Sequence, residues 1–133
     1  MTAYPLTSLI TLLVVLLMFI TSVIVGKARV KYGIKAPAAS GHEMFDRAYR
    51  VQMNTLEAAA FMLPSLWIYA IFNGEIGAFV MGIIWLVGRA WYAQAYLADP
   101  ARRGMGFGIA FVALAGLWFG ALVGLAMRGA SLV

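Results

Sequence analysis

The chain has 133 residues, of which 64% are hydrophobic and only 11% are charged, and it contains no cysteine. This composition leaves too little polar surface for a small soluble domain, so we expect the lipid bilayer to be its main solvent. Without cysteine, disulfides, thiolate metal sites and a thiol nucleophile of the protein itself are excluded. The net charge of +5 is concentrated in two clusters, which indicates membrane topology and an anionic ligand, and not nucleic acid.

Four hydrophobic segments predict an all-α integral membrane four-helix bundle that forms a single domain over residues 1–133. The predicted spans are about 5–26, 47–72, 76–98 and 106–127. At 1.5 Å per residue, each span is long enough to cross a hydrocarbon core of about 30 Å. The first span has neither a basic start nor a small-residue cleavage site, so we interpret it as retained and not as a signal peptide.

Two local features modify the predicted helices. Pro64 lies inside the second span and should kink it, unless neighbouring helices satisfy the carbonyl that loses its helical donor. In the fourth span, glycines recur at positions 104, 108, 116, 120 and 124. This spacing predicts a helix face on which backbones can approach closely.

The distribution of basic residues predicts the orientation in the membrane. Four spans place both termini on one side, and the loops at 27–47 and 99–103 on the other. Those loops hold most of the lysines and arginines. By the positive-inside rule, we expect the loops to be cytosolic and both termini to lie on the opposite side.

Polar side chains form a stripe on each of two spans. In the second span, the side chains that fall within an arc of about 80° on a helix are Arg47, Arg50, Asn54 and Glu57. In the third span, those within about 60° are Arg89, Tyr92 and Tyr96. Charged groups at membrane depth usually mark pairing, a water-filled cavity or a binding site. Both stripes begin at the predicted cytosolic face, so we expect them to meet there.

The chemistry of these groups favours a small, zwitterionic, peptide-like anion. Several guanidiniums, including that of Arg103, can bind carboxylates, and Glu57 can hold an ammonium. Gln52 and Asn54 can satisfy peptide amides. Glutathione fits this description, as do other short peptides and amino-acid conjugates. No metal site is expected, because the chain has one histidine, His42, in a loop.

Structural explanations for the same residues remain open. Glu57 and Arg89 can neutralise each other between two helices. Tyr92 and Tyr96 can be anchors at the membrane interface. The arginines at 102 and 103 can simply determine topology. The convergence of two stripes nevertheless favours one pocket, because it explains several polar groups together.

The segment 45–57, FDRAYRVQMNTLE, resembles the signature of the MAPEG family, the membrane-associated proteins in eicosanoid and glutathione metabolism. The segment 88–96, GRAWYAQAY, followed by Pro100 and Arg103, resembles the second block of that family. The resemblance covers essentially the whole chain and includes the microsomal glutathione transferases. It implies a homotrimer of four-helix subunits, with glutathione bound between neighbouring subunits near the cytosolic face.

By this resemblance, one subunit would contribute Arg50, Gln52, Asn54 and Glu57 to glutathione, with Arg47 beside them. The next subunit would contribute Arg89, Tyr92, Tyr96 and Arg103. Arg29 resembles a further basic contact at the end of the first span. Arg103 matches the arginine that stabilises the glutathione thiolate in conjugating members, which agrees with the effect of a nearby cation on thiol ionisation.

The resemblance also carries departures. The chain has Arg29-Val30 where leukotriene-forming members have paired arginines, and Ala58 where they have a tyrosine. Tyr92 stands where prostaglandin E synthases have a histidine. We therefore expect a general membrane glutathione transferase or peroxidase that acts on hydrophobic electrophiles or lipid hydroperoxides from the bilayer.

Two other classes of function remain as alternatives. One is a non-catalytic membrane protein that binds glutathione or lipid. The other is a small multidrug exporter, which is also a four-helix protein. Such an exporter is expected to carry its essential carboxylate on the first span, and this first span has none.

Overall fold

The computed structural model describes residues 3–132, which fold into four long α-helices and two short 3₁₀ turns. The helices are α1 (Pro5–Tyr32), α2 (Glu43–Asn73), α3 (Glu75–Ala98) and α4 (Gly104–Arg128). The 3₁₀ turns are Pro100–Arg103 and Gly129–Ser131. Each long helix is apolar and long enough to cross a membrane. The prediction of an all-α membrane four-helix bundle is therefore confirmed.

Helix α1 extends six residues beyond the predicted span, so the first part of the expected loop at residues 27–47 is helical. Residues 27–32 continue the helix because lysine, arginine and alanine are good helix formers whether or not lipid surrounds them. The helix ends at Gly33, which adopts a left-handed conformation (φ 68°) and donates its amide to the carbonyl of Arg29. The connecting loop is thus limited to residues 33–42.

Helix α2 begins at Glu43, before the predicted start at residue 47, because a capping side chain and two acidic residues stabilise its first turn. The side chain of His42 accepts a hydrogen bond from the amide of Met44 at 3.1 Å. The carboxylates of Glu43 and Asp46 lie in the first turn, where the helix dipole favours negative charge. His42 also stacks on Tyr32 at a ring distance of 3.9 Å, which joins the start of α2 to the end of α1.

Three contacts establish the helix directions. Glu75, at the start of α3, accepts hydrogen bonds from amides at the start of α1. Arg47, near the start of α2, donates to carbonyls at the end of α3. Asn73, at the end of α2, donates to Gly120 in the last third of α4. Successive helices are therefore antiparallel, and α2 and α4 run in the same direction. We call the end with residues 27–50 and 96–103 the site end, and the other the terminal end.

Helix α2 packs on each of the other three helices, and the core lies along these contacts. It contains Ile10, Val14, Met62, Leu66, Trp85 and Leu117, together with small alanines on α2, α3 and α4. A smaller cluster at the site end consists of Val25, Phe45 and Ala48. The core therefore fixes α2 against α3 and α4, the helices that carry the predicted polar stripes.

The glycine pattern of α4 works differently from the prediction. A Cβ at Gly104 or Gly108 would meet nothing within 4 Å, and at Gly116, Gly120 and Gly124 it would meet side chains. The close approach of backbones occurs instead at Gly106, where a Cβ would lie 2.4 Å from the amide nitrogen of Tyr92. The four-residue series therefore makes room for neighbouring side chains, and Gly106 alone among the described glycines of α4 brings two backbones together.

Candidate functional site

A cavity of about 410 Å³ lies between α2, α3 and α4 toward the site end, and we call it the polar cavity. Its polar lining residues are Asn54, Glu57, Arg89, Tyr92 and Arg103. The rest of its wall is apolar and largely aromatic, and consists of Ala58, Phe61, Trp85, Phe107, Ala110, Phe111 and Leu114. Five of the ten residues predicted from the sequence thus line one cavity.

The two polar stripes meet within a single chain. The side-chain amide of Asn54 on α2 donates a hydrogen bond of 2.7 Å to the hydroxyl of Tyr92 on α3. The two stripes therefore face each other within one chain, and the expected division of the glutathione contacts between subunits stays a prediction. The reason is that α2 and α3 are joined by a single residue, Gly74, and must pack side by side.

Arg89 is a buried cation, and its side chain is held by groups that carry no negative charge. It is 3% exposed, and its guanidinium lies 4.1 Å from the ring centroid of Tyr92. One nitrogen donates weakly to the hydroxyl of Thr55 at 3.4 Å, and Nε has no hydrogen-bond partner. Across residues 3–132, the ion pairs are Arg47 with Glu43 and Arg102 with Asp99. The alternative that Glu57 neutralises Arg89 by a direct salt bridge is therefore wrong.

Arg103 projects from the 3₁₀ turn that precedes α4. Asp99 begins this turn by accepting the amide of Ala101 at 3.0 Å, and Arg103 donates to the carbonyl of Pro100 at 2.8 Å. Its guanidinium lies 6.0 Å from the ring of Tyr96, which in turn lies 5.7 Å from the ring of Tyr92. Arg103 is exposed, so its charge remains accessible at the mouth of the cavity.

Close packing of α3 and α4 brings Arg103 to this position. A Cβ at Gly106 would lie 2.7 Å from the carbonyl oxygen of Gly88, and a Cβ at Gly88 would lie 2.7 Å from the amide nitrogen of Ala110. The two helices therefore touch backbone to backbone directly below the 3₁₀ turn. Any larger residue at either glycine would move Arg103 away from the tyrosines.

The other five predicted residues lie outside the cavity lining. Arg47 donates to the carbonyls at the end of α3 and pairs with Glu43. Arg29 donates to the carbonyl of Ala38 at 2.6 Å and covers the ring of Phe45 at 4.8 Å, so it holds the loop after α1. Arg50 is exposed and Gln52 is half-buried. Tyr96 is half-buried beside Tyr92 and likewise stands next to the cavity rather than in its wall.

Sequence reasoning missed the aromatic half of the cavity. Phe61 continues the α2 stripe four residues beyond Glu57, and Phe107 and Phe111 follow Arg103 at steps of four. The same helical spacing that identified the polar residues would have found these three. In a membrane protein, however, an exposed phenylalanine is also the ordinary lipid-facing residue, so composition alone gave no reason to select them.

A second, larger space of about 600 Å³ follows α2 and α4 away from the polar cavity, and we call it the apolar groove. It is lined by Ala60, Phe61, Pro64, Ser65 and Ile68 on α2 and by Phe111, Leu114, Ala115, Trp118, Phe119, Ala121, Leu122 and Leu125 on α4. Phe61, Phe111 and Leu114 also line the polar cavity. The polar cavity and the apolar groove are therefore adjacent and share these three residues in their walls.

The fold and the cavity define the class: a helical membrane protein with four long apolar helices and with arginine and carboxylate side chains around one cavity. The sequence matches the model of the MAPEG family over residues 7–123. The chain therefore belongs to the MAPEG family, and it is a multi-pass integral membrane protein.

Relatives of the chain are found in a bacterium and in mammals. It is 42% identical over 116 residues to an uncharacterized protein of Synechocystis sp., covering 87% of this chain and 85% of that protein. It is 32% identical over 91 residues to human microsomal glutathione S-transferase 2, covering 68% of this chain and 62% of that protein. It is 35% identical over 94 residues to bovine leukotriene C4 synthase, covering 71% and 63% respectively. The aligned part thus spans less than two thirds of these two named mammalian relatives.

Proposed function

We propose that this protein is a membrane glutathione transferase that joins glutathione to hydrophobic electrophiles delivered by the bilayer. The observation that carries the proposal is that the polar cavity lies beside the apolar groove and shares Phe61, Phe111 and Leu114 with it. A reaction between a charged peptide and a lipid-soluble acceptor requires both environments in contact. Membership of the MAPEG family and the glutathione S-transferase among its relatives support the same activity.

The charges of the polar cavity suit glutathione, which carries two carboxylates and one ammonium. Arg103 offers an accessible guanidinium and Arg89 a buried one, while Glu57 is an exposed carboxylate without an ion pair among residues 3–132. Guanidiniums bind carboxylates through charge-assisted hydrogen bonds, and a carboxylate binds an ammonium in the same way. The amide of Asn54 supplies the neutral donor and acceptor that a peptide bond requires.

In the proposed mechanism, Arg103 stabilises the thiolate of glutathione. The free thiol has a pKa of about 8.5, and a nearby cation lowers it and so raises the fraction of the attacking species at neutral pH. The thiol proton leaves to solvent, and the sulfur then forms a bond with the electrophilic carbon. A leaving group departs with the bonding electrons, or the electrons of a double bond move to its conjugated carbonyl. The protein contributes charge and orientation and needs no nucleophile of its own.

The distribution of charge supports a cytosolic site. Every lysine and arginine other than Arg128 lies between residues 27 and 103, mostly in the loops and helix ends of the site end. By the positive-inside rule, this end faces the cytosol, where glutathione is abundant and reduced, and both termini face the opposite side. Protease accessibility of the loop at 33–42 in sealed vesicles would test this orientation.

The test of the proposed function is conjugation of a compact aryl halide electrophile by the purified protein in detergent. Arg103→Ala should lower the turnover number by roughly a hundredfold, the usual size of losing one stabilising charge or donor. Arg102→Ala is the matched control, because Arg102 is the adjacent exposed arginine and pairs only with Asp99 at 3.9 Å. It should retain wild-type turnover. Equal losses in the two variants would contradict a specific role for Arg103.

Ultraviolet absorbance of the thiolate during glutathione titration separates the enzyme from a non-catalytic binder. The proposal expects a thiolate signal that appears on binding and disappears in Arg103→Ala. Glutathione binding without that signal, and without turnover of any electrophile, would favour the binding protein. Reduction of a lipid hydroperoxide would use the same thiolate and a second glutathione, giving an alcohol, water and glutathione disulfide, and is measured with the same variants.

We further propose that the protein is a homotrimer, as the family resemblance implies, and that Arg29, Arg50 and Gln52 act toward the cavity of a neighbouring subunit. None of the three lines the cavity of its own chain. Native mass spectrometry of the detergent-solubilised protein tests the subunit number. Mixed trimers that combine Gln52→Ala subunits with Arg103→Ala subunits test the sharing of sites, since each mixed trimer would retain sites that carry neither change.

A further inference from the structure

One side of α1 is apolar along most of the helix and basic at the site end, and we call it the outer face of α1. The buried side chains of α1 share the opposite side of the helix: Thr7, Ile10, Val14, Thr21 and Val25. The outer face exposes large apolar side chains, among them Leu12, Leu16, Phe19 and Val23. Helical geometry places these four within an arc of about 60°. Lys27 and Lys31 are also exposed, and the arc that includes them is about 120° wide, so they continue the same face.

The apolar part of the outer face has the length of one membrane leaflet. From Leu12 to Val23 the helix rises by about 16 Å. One leaflet is half of a hydrocarbon core of about 30 Å. Lys27 follows one turn after Val23, and Val30, which is 87% exposed, still presents an apolar side chain beside it. The lysines therefore lie where lipid chains meet headgroups, because their stems can cover apolar surface while the ammonium groups reach the headgroups.

Among the described residues, no carboxylate pairs with these two lysines. The first acidic residue of the chain is Glu43, so residues 1–42 carry basic side chains without any aspartate or glutamate. Both ion pairs of residues 3–132 are formed by arginines. The ammonium group of Lys31 lies 5.4 Å from the ring centre of Tyr32, which is an aromatic contact and not an ion pair. The counter-charge of the lysines must therefore come from outside the chain.

Arg29 lies between the two lysines in the chain, but the protein uses it differently. It is two residues from each lysine, which places it about 160° away around the helix. Its guanidinium donates to the carbonyl of Ala38 at 2.6 Å and covers the ring of Phe45 at 4.8 Å. The basic residue that faces inward thus has partners in the protein. The two that face outward have no ion pair among the described residues, which indicates an external anion.

We propose that the outer face of α1 binds one anionic glycerophospholipid. The phosphate lies against Lys27 and Lys31, which are about 6 Å apart along the helix axis, and one acyl chain follows the face from Val23 to Leu12. Charge complementarity selects this occupant, because lysine binds phosphate as a point charge and each basic residue attracts an anionic membrane surface. A zwitterionic headgroup carries an ammonium of its own, which offsets the attraction of its phosphate. The proposed cytosolic orientation of the site end favours the same occupant, since the cytoplasmic leaflet carries anionic lipids.

The test is native mass spectrometry of the delipidated protein in detergent, titrated with phosphatidylglycerol or with phosphatidylcholine of identical acyl chains. Wild-type protein should bind phosphatidylglycerol about 25-fold more tightly, since each of the two lysines contributes about fivefold. Lys27→Gln should lower the affinity for phosphatidylglycerol about fivefold, and Lys27→Gln combined with Lys31→Gln about 25-fold. The affinity for phosphatidylcholine should stay unchanged in both variants.

Lys35→Gln is the matched control, because Lys35 is an exposed lysine in the loop at 33–42, beyond the end of α1. It removes the same charge at the same end of the bundle and should keep the wild-type affinity. Lys27→Arg combined with Lys31→Arg retains both charges and should also bind phosphatidylglycerol as the wild type does. Thermal unfolding in the same detergent should give one midpoint for all variants, since these side chains are exposed.

An equal loss of affinity in Lys27→Gln and Lys35→Gln would overturn the site, because it would show attraction to the overall charge of this end. Displacement of the lipid by glycerol 3-phosphate, which has no acyl chains, would overturn the role of the apolar part of the face. A lower subunit number in the double glutamine variant, with unchanged lipid affinity, would show that a second copy of the chain covers the face instead. Neither lysine lines the polar cavity, so these results do not depend on the transferase activity.

Discussion

The terminal end of the bundle and the polar cavity use polar side chains in different ways. At the terminal end, polar groups bond to the backbones of neighbouring helices. Glu75 accepts the amides of Leu6 and Thr7 at 3.0 and 3.3 Å, which satisfies donors at the start of α1. Asn73 donates to the carbonyl of Gly120 at 2.8 Å, and Arg128 donates to the carbonyl of Phe72. These contacts hold helices together where the chain reverses direction.

Toward the site end, the charged side chains of the polar cavity lack ion-pair partners among the described residues. Arg89 is buried without a carboxylate partner, and Glu57 and Arg103 are exposed without ion pairs among residues 3–132. Burying a charge without a partner costs several kcal/mol, so this arrangement does not serve the stability of the free protein. The comparison teaches that the same residue types bond to neighbouring backbones at the terminal end and stay without ion pairs in the polar cavity.

The largest expected effect concerns the glycine that brings α3 and α4 together at the site end. Gly106→Ala places a Cβ 2.4 Å from the amide nitrogen of Tyr92, and backbone cannot move aside as a side chain can. We expect a loss of about 3 kcal/mol in the free energy of unfolding, together with a weaker thiolate signal.

The matched variant is Gly108→Ala, where a Cβ meets nothing within 4 Å. It should gain up to about 1 kcal/mol, because alanine is the better helix former. Thermal unfolding in one detergent measures both variants. Equal stability of the two would show that the backbone contact at Gly106 does not position the site.

The next effect separates function from stability at Arg89. Arg89→Met replaces a buried unpaired cation with an apolar side chain of similar length, so the free protein should become more stable by about 1 to 3 kcal/mol. Glutathione affinity should fall by roughly 30-fold, equivalent to about 2 kcal/mol, because one charged hydrogen bond to the ligand is lost.

Arg128→Met is the control at the terminal end, where Arg128 bonds to the carbonyl of Phe72. It should lower the unfolding midpoint and leave glutathione affinity unchanged. Isothermal titration with glutathione and thermal unfolding measure the two quantities separately. If Arg89→Met lowers the stability and retains the affinity for glutathione, Arg89 stabilises the fold as Arg128 does. The two regions would then not differ in how they use arginine.

The bundle and the polar lining of the cavity could be predicted from the sequence, because both depend on residues that are close together in the chain. Hydrophobic length identifies spans, because a bilayer requires about twenty apolar residues in succession. Helical spacing placed Asn54 and Glu57 on one face and Arg89 and Tyr92 on another, and both faces line the polar cavity. Each of these properties depends only on neighbours in the chain.

The parts of the site that the sequence did not predict depend on contacts between residues far apart in the chain. The residues of the α2 stripe do not all reach the cavity. Arg47 lies beside the end of α3 and bonds to its carbonyls, whereas Asn54 lies two turns further along α2 and faces Tyr92. Likewise, the spacing of glycines in α4 gave no sign that Gly106, outside that series, would be the point of backbone contact. Such assignments require knowledge of which helices are adjacent and at what height.

The smallest expected effect compares two asparagines that each bridge α2 to another helix. Asn73→Ala removes the hydrogen bond to Gly120 and should cost about 1 kcal/mol of stability, with no change in KM for glutathione. Asn54→Ala removes the bond to Tyr92, but the amide also faces the polar cavity, so KM should rise about fivefold with a smaller loss of stability. Steady-state kinetics and thermal unfolding of the two variants provide the comparison. Both asparagines are neutral, so the two variants test hydrogen bonding separately from charge. If KM rises in both variants or in neither, the two regions differ only in their charged side chains.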